Sequence, residues 1–458
     1  MRKLLVKVVI LALISSFGMT SCNSETDYTT TNYGSNHCAV TYMLLGTLYR
    51  DIHTQNSSGK DSVYTTTMSG SQYMLYIDQY KGEIYNPDSL PLGTRTDKVV
   101  FSSVSYDGIL AYRTENGTDT LYSTGDTIDF TNPRLFTCFS YSGSAKKTYT
   151  VHINVHQVNT EAFVWNQVHQ GLNHLQALTS QRAFYKGDTI YVFALADNAP
   201  VRIAMPIKEN VASSIVDTLS LAGFKPENVQ QFGNKFYTLE NGVLMTSSDG
   251  AAWTAANTTF TADALVAVSS TMIFATKEGK MYHSEDAVNW ELDEIESHAD
   301  KLPTSAFTSA WAPMLFNENF EYLICGGTNA DGNVEWRKVI DNKGHNTEPW
   351  SLYQFGEEKA YPYPAGPNVQ ILAYDSKMFA MGTEGDTLSL FYVSTDMGRT
   401  WRPQRNSYQH PHAIKASNFS WAIDDEKYIW IICGGSGEIW RGRINRLGFQ
   451  PNQTAFTE

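Results

Sequence analysis

The sequence predicts an all-β chain, a β-sandwich followed by a six-bladed β-propeller, and three observations carry that prediction. Short runs rich in Tyr, Phe, Thr and Val alternate with Gly, Asn, Asp and Ser, and no helical periodicity persists. A Gly, Ser, Asp, Trp pattern recurs at a constant offset in the C-terminal two thirds, and six hairpins can be read along the same stretch. With 458 residues the chain exceeds a single domain of about 100–200 residues, so two or three cores or one large repeat are expected.

In chain order, the first element is a leader. Met1-Arg2-Lys3 precedes an apolar run over residues 4–13 and a small-residue stretch ending at Ser21. This reads as a secretory signal over residues 1–21, with a core too short to span a bilayer. Met19-Thr20-Ser21-Cys22 resembles a bacterial lipobox, with Met19 where Leu is usual, and the resemblance implies lipid attachment at Cys22. Residues 22–36 are polar and unpatterned and read as a tether. The expected location is the cell envelope, lipid-anchored to the outer membrane, either periplasmic or surface-exposed. Loss of residues 1–21 removes three of the 34 basic side chains and none of the 47 acidic ones, taking the net charge from −13 to −16. Such a surface repels phosphate backbones and argues against nucleic acid as a partner.

Four further cysteines, Cys38, Cys138, Cys325 and Cys433, are too few for a disulfide scaffold and lack the close spacing of a zinc site. Cys38 and Cys138 can either bridge within the first domain or stay free. No cofactor and no metal site are indicated.

Residues 37–160 read as about seven short strands with a turn signal roughly every ten residues, a β-sandwich pattern. The last of them, residues 147–156, alternates. It puts His152, Asn154 and His156 on one face, where the outer pair stands roughly 13 Å apart, too far to share a metal. A solvated sheet face is expected instead. The stretch Ile77-Asp78, Gly82-x-Ile84-Tyr85-Asn86-x-Asp88-Ser89-Leu90-Pro91-x-Gly93-Thr94 resembles the opening domain of an envelope lipoprotein family of unknown function found in gut-type bacteria. Asp129-Phe130 followed by residues 147–155 is similar to Ig-like modules of surface lipoproteins. The resemblance implies an Ig-like module followed by a propeller, and no established activity.

Residues 161–458 carry the propeller signal. Gly242, Ser247, Asp249 and Trp253 match Gly279, Ser284, Asp286 and Trp290 at one offset of 37. A third copy, Ser394-Thr-Asp396-Met-Gly398-Arg-Thr-Trp401, resembles the Asp box of bacterial neuraminidase repeats. Its Ser and Asp side chains are suited to accept hydrogen bonds from turn N–H groups, Gly398 or Gly250 supplies permissive φ, and the Trp starts an outer strand, so these residues are expected to be structural. Each box should join the third and fourth strands of a blade. First and second strands then fall at 182–195, 229–239, 264–276, 305–327 (with a longer connection), 369–382 and 418–435, which makes six blades. Blades four and six share Tyr322-Leu-Ile-Cys325-Gly-Gly and Trp430-Ile-Ile-Cys433-Gly-Gly. Equivalent positions two blades apart exceed the roughly 7 Å Cα limit of a disulfide, so Cys325 and Cys433 are expected to be free. Blade six lacks an Asp box and a following Trp. The strand Glu161-Ala-Phe-Val-Trp165-Asn-Gln has no blade of its own, and it is expected to close the ring as the outer strand of blade six.

Three functional readings follow. The Asp-box resemblance implies a sialidase-like glycoside hydrolase, whose chemistry needs arginines, an acid/base Asp and a Tyr nucleophile converging at the centre. Among the predicted first strands only Arg182 supplies a guanidinium, while Arg202, Arg337 and Arg441 fall on third strands, so no catalytic residue is assigned. The second reading is a binding site on the rim opposite the Asp boxes, built by the long connectors 291–304, 354–368 and 402–417. It offers Tyr361, Tyr363, Tyr408, His410 and His412, with Arg182 from the centre, to a glycan or an envelope protein. His410 and His412 alone do not make a metal site, and the acidic run Glu291, Asp293, Glu294, Glu296 and Asp300 reads as a solvated loop. The third reading is a structural component of an envelope complex.

Overall fold

A computed structural model describes residues 34–55, 61–343, 348–352, 361–404 and 408–449. The expected leader, Cys22 and most of the tether lie outside the described residues, as do residues 353–360 and 405–407 of the expected rim connectors. Two compact units are present, residues 34–160 with Phe449, and Glu161–Gly448.

Among the described residues the N-terminal unit contains ten strands, from Ala39–Leu45 to Lys146–His152. The expected seven fall short because Tyr76–Asp78, Glu83–Tyr85 and Asp119–Leu121 are three residues each, too short for alternation to register in a sequence. Six strands form one sheet, in which Glu83–Tyr85 runs parallel to Lys146–His152, and two antiparallel pairs, Ala39–Leu45 with Phe101–Asp107 and Thr47–Gln55 with Asp61–Ser69, complete the described part of the unit. Phe101 meets Phe130 and Phe136 edge-on in the core, at centroid distances of 5.7 and 6.3 Å. Cys38 and Cys138 are free thiols, and the Cys138 Sγ–H donates to Asp107 O instead (2.8 Å).

The expected strand 147–156 ends early, at His152. Beyond it the buried side chain of Asn86 replaces the ladder, accepting at Oδ1 from the Asn154 N–H (2.7 Å), while Asn154 Nδ2 donates to Asn86 O (2.9 Å). Asn154 and His156 therefore do not share a solvated sheet face with His152. The stretch quoted above for its family resemblance is structural. Asp78 caps the Tyr80 and Lys81 N–H groups at 2.9 Å, and Gly93, at φ 85°, is pressed against Asp51 O where no side chain fits.

Among the described residues the second unit contains six four-stranded antiparallel sheets, a propeller, and one short two-stranded pair, Thr383–Glu384 with Thr387–Leu388. The first two strands are Leu178–Lys186 and Thr189–Ala196 in blade one, Gln230–Phe232 and Lys235–Glu240 in blade two, and Ala264–Val268 and Ile273–Lys277 in blade three. They are Ser305–Met314 and Asn317–Asn329 in blade four, Gln370–Tyr374 and Lys377–Met381 in blade five, and Asn418–Ile423 and Ile429–Gly434 in blade six. In blade four the strands themselves run long, and the tight turn Leu315–Phe316 replaces the longer connection expected there.

Period-two alternation explains how the ring closes. In blade four Leu323 and Cys325 pack on blade three, while Ile324 between them packs on blade five. In blade six Ile431 and Cys433 face blade five, while Trp430 and Ile432 face blade one. Six apolar clusters result, one between each pair of consecutive blades, including the pair formed by blades six and one. The strand Phe163–His169 pairs antiparallel with Ile439–Ile444, Phe163 opposite Ile444, and supplies the outer strand of blade six as the sequence reading expects. Both ends of the propeller chain thus share one sheet, which leaves no open radial edge at the junction.

Candidate functional site

The three Ser-x-Asp turns join third and fourth strands, in blades two, three and five. In each, Ser Oγ donates to its Asp, at 3.1 Å for Ser247 and Asp249, 3.0 Å for Ser284 and Asp286, and 2.8 Å for Ser394 and Asp396. The Asp oxygen then accepts from the turn backbone, from Ala251 N at 2.9 Å, from Val288 and Asn289 N at 2.8 Å, and from Thr400 N at 2.9 Å. These backbone donors, Asn289 N–H foremost, hold the Asp286 carboxyl down at about 2. The Ser and Asp side chains of the motif are thus engaged in holding the hairpin.

The centre of the ring is lined by first strands, which run side by side around the axis. At their C-terminal ends, on the same face as the Ser-x-Asp turns, they enclose a cavity of about 510 Å³ bounded by Arg182, Phe184, Tyr185, Gln231, Trp311 and Trp421, among others. This lies within the range of about 300–1,000 Å³ usual for small-molecule sites. At the N-terminal ends the space narrows to about 80 Å³ between Gln181, Glu227, Asn368 and Asn418, room for two or three waters by the roughly 30 Å³ each occupies in the liquid. Arg182, Thr308 and Gln370 face both compartments.

Hydrogen bonds between blades fix these walls. Gln370 Nε2 donates to Phe419 O at 2.7 Å, Gln181 Nε2 to Ile432 O at 2.9 Å, and the Ile371 N–H to Thr308 Oγ1 at 2.8 Å. Arg182 Nη1 donates to the backbone carbonyl of Glu227 at 2.9 Å, and the guanidinium lies 5.5 Å from the centre of the Phe184 ring. Surrounded by protein yet touching the cavity, the Arg182 guanidinium is pushed down by burial to about 10, so it remains a cation at neutral pH. Trp311 stands at the wide mouth with 39% of its surface exposed, and the Gln231 and Ser309 side chains have no protein partner among the described residues.

The residues expected on the opposite rim are not gathered into one surface. Tyr363 is buried between blades four and five, edge-on to Trp401 at 5.6 Å, with its hydroxyl against Gly326, where a β-carbon would collide with it. Burial raises its phenol well above the usual range. Tyr361 is 38% exposed and carries the Arg402 guanidinium 4.5 Å from its ring centre. Tyr408 packs against Phe163 at 5.3 Å and receives a 3.1 Å hydrogen bond from Lys377 Nζ. His410 is buried, its Nδ1 2.8 Å from Pro411 O and its Nε2 2.7 Å from Ser389 O, whereas His412 points into solvent. Of the residues read from sequence, only Arg182 reaches the central cavity.

The acidic run also divides. Asp293 is buried, with Oδ1 accepting from Lys338 Nζ at 3.0 Å and Oδ2 from Trp350 Nε1 at 2.9 Å, so it is an inter-blade bolt and not part of a solvated loop. No group of His, Cys, Asp and Glu among the described residues could hold a metal ion. The third-strand arginines are engaged in the blades: Arg202 with Asp217, Arg337 with Met397 O at 3.0 Å, and Arg441 over the Tyr428 ring at 3.9 Å. Trp311, Gln231 and Phe184 went unnoticed in the sequence. The signal was present, since a tryptophan in an inner strand of a propeller faces either a blade interface or the channel.

Residues 159–452 match the family described as DUF6242 beta propeller domain, and residues 43–153 match its N-terminal domain of unknown function. The chain belongs to this family. Among curated proteins none matches the DUF6242 chain. Solved structures with similar folds include a carbohydrate-active enzyme of family AA12 from Trichoderma reesei, 8% identical, covering 63% of this chain and 99% of that one with a TM-score of 0.35. The six-bladed fucose-recognising lectin of Aleuria aurantia is 7% identical, covering 58% and 93%, with a TM-score of 0.34. Likeness at this level bears on neither ligand nor chemistry.

Proposed function

We propose that this DUF6242 chain is a non-catalytic glycan-binding protein of the cell envelope, and that the ligand enters the wide end of the central cavity. The observation that carries the reading is the pairing of aromatic rings, Trp311, Phe184 and Tyr185, with the unengaged side chains of Gln231 and Ser309 and the partly engaged guanidinium of Arg182 around one 510 Å³ space. Sugars present both chemistries, apolar C–H faces for aromatic stacking and hydroxyls for side-chain amides. Glu227 is the one carboxylate among the residues lining the two compartments, so hydrolysis by a carboxylate pair draws no support from them. Tyr361 and His412, both open to solvent, do not line this cavity and take no part in this reading.

The Ser-x-Asp turns are read as Asp boxes and the N-terminal unit as an Ig-like spacer, the whole being tethered through acylated Cys22. A second reading, docking on an envelope protein, rests on the blade-four hairpin tip, where Leu315 and fully exposed Phe316 project into solvent. The test is an oligosaccharide array probed with the detergent-solubilised full-length chain, with reducing ends assayed in the same samples. Retention of a glycan class without new reducing ends supports the proposal. Release of reducing ends overturns its non-catalytic part, and failure to retain any class overturns it entirely.

A further inference from the structure

The charge of the ligand can be inferred from the surroundings of Arg182, an inference that rests on the glycan-binding reading. A guanidinium offers five N–H donors in a rigid fork suited to a carboxylate. Here the protein engages it through one carbonyl, Glu227 O, and the Phe184 ring. The Glu227 carboxylate is turned elsewhere, with Oε2 accepting from the Ala306 N–H at 3.2 Å. Among the described residues no carboxylate lies within ion-pair distance of Arg182, whereas Arg202 on the neighbouring third strand is paired with Asp217. A cation this deep in a ring is costly to hold without an anion.

We propose that the central cavity selects a sugar bearing a carboxylate, with Arg182 as the group that recognises it. Trp311, on blade four, lines the same cavity across from Arg182 of blade one and offers a ring to the body of that sugar, while Gln231 and Ser309 are available to its hydroxyls. The chain carries a net charge of −13, so its surface at large repels an acidic glycan and general electrostatic attraction cannot account for selectivity.

The experiment titrates the full-length chain with glucuronate-, galacturonate- and N-acetylneuraminate-terminated oligosaccharides, each beside its own methyl ester, which keeps the shape and removes the charge. One acid is expected to bind about tenfold or more tighter than its ester, as suits a charge-assisted hydrogen bond. Arg182→Gln is expected to bring that acid to the level of its ester, so that the acid-to-ester ratio collapses to about one. Esters binding as well as acids would overturn the inference while leaving glycan binding intact. Should acids, esters and neutral oligosaccharides all fail to bind, both readings fall. The acid-to-ester ratio is measured on the unaltered protein, so the inference stays testable if Arg182→Gln does not fold.

Discussion

The indole Nε1 of Trp401 donates a 2.8 Å hydrogen bond to Glu335 Oε2, joining the Ser-x-Asp turn of blade five to the third strand of blade four. Gly398 makes the approach possible, since a β-carbon there would collide with Glu335 Oε1. Removing the acceptor leaves a buried N–H unpaired, so Glu335→Ala is expected to cost about 1–3 kcal/mol in denaturant unfolding. Glu335→Gln, which keeps an oxygen in place, should cost less. An equal loss for both would show that the bond itself contributes nothing.

Lys338 and Asp293 form a pair with fully buried side chains at the junction of blades three and four. Asp293→Ala strands the ammonium and the Trp350 N–H together, and a loss of about 3–5 kcal/mol is expected. Replacing both charges, Asp293→Leu with Lys338→Met, should recover most of it, because the desolvation cost disappears with the attraction. A double-mutant cycle on purified protein checks this. Additive losses would refute it.

Two carboxylates respond to pH in opposite directions. Asp286 is held at about 2 by turn N–H donors. Its stabilising contribution is therefore complete above its ordinary value and is lost as pH falls through about 2. Glu321 is raised by burial, against the opposing bonds from Ser270, so stability is lost as pH rises from its ordinary value through the folded one. Glu321→Gln should accordingly raise the melting temperature at pH 8 more than at pH 4. Resonances of Asp286 should titrate near 2.

Ring closure depends on Gly442, over which the Trp165 ring lies with no space for a β-carbon. Gly442→Ala is expected to cost about 1–3 kcal/mol by overpacking and to expose the outer edge of blade six, so that aggregation on heating increases. Unchanged thermal unfolding would count against the strand Phe163–His169 as a closing element.

What could be read from the sequence was what repeats. Ser247, Asp249 and Trp253 recur one blade later at Ser284, Asp286 and Trp290 because blades two and three make the same turn between their outer strands. The closing strand was legible because blade six lacked an outer strand while residues 161–167 lacked a blade. The position of Tyr363 was not legible. A Tyr-Pro loop presents the same composition whether its ring faces outward or is seated in a cleft, and the seat here is Gly326, in a different blade. Trp311 and Gln231 escaped for a related reason: the side of an inner strand that faces the axis is decided by register, and a residue off the apolar pattern marks it only once the blades are in place.

Calorimetric titration of Trp311→Ala with the glycan retained by the unaltered chain bears most directly on the central cavity as the binding site. The account predicts loss of about 1–3 kcal/mol of binding free energy, the scale of a stacking contact measured by alanine substitution, with the melting temperature unchanged because Trp311 stands at the open mouth. Unaltered affinity in Trp311→Ala, together with loss in Tyr361→Ala, would move the site to the opposite rim and contradict it.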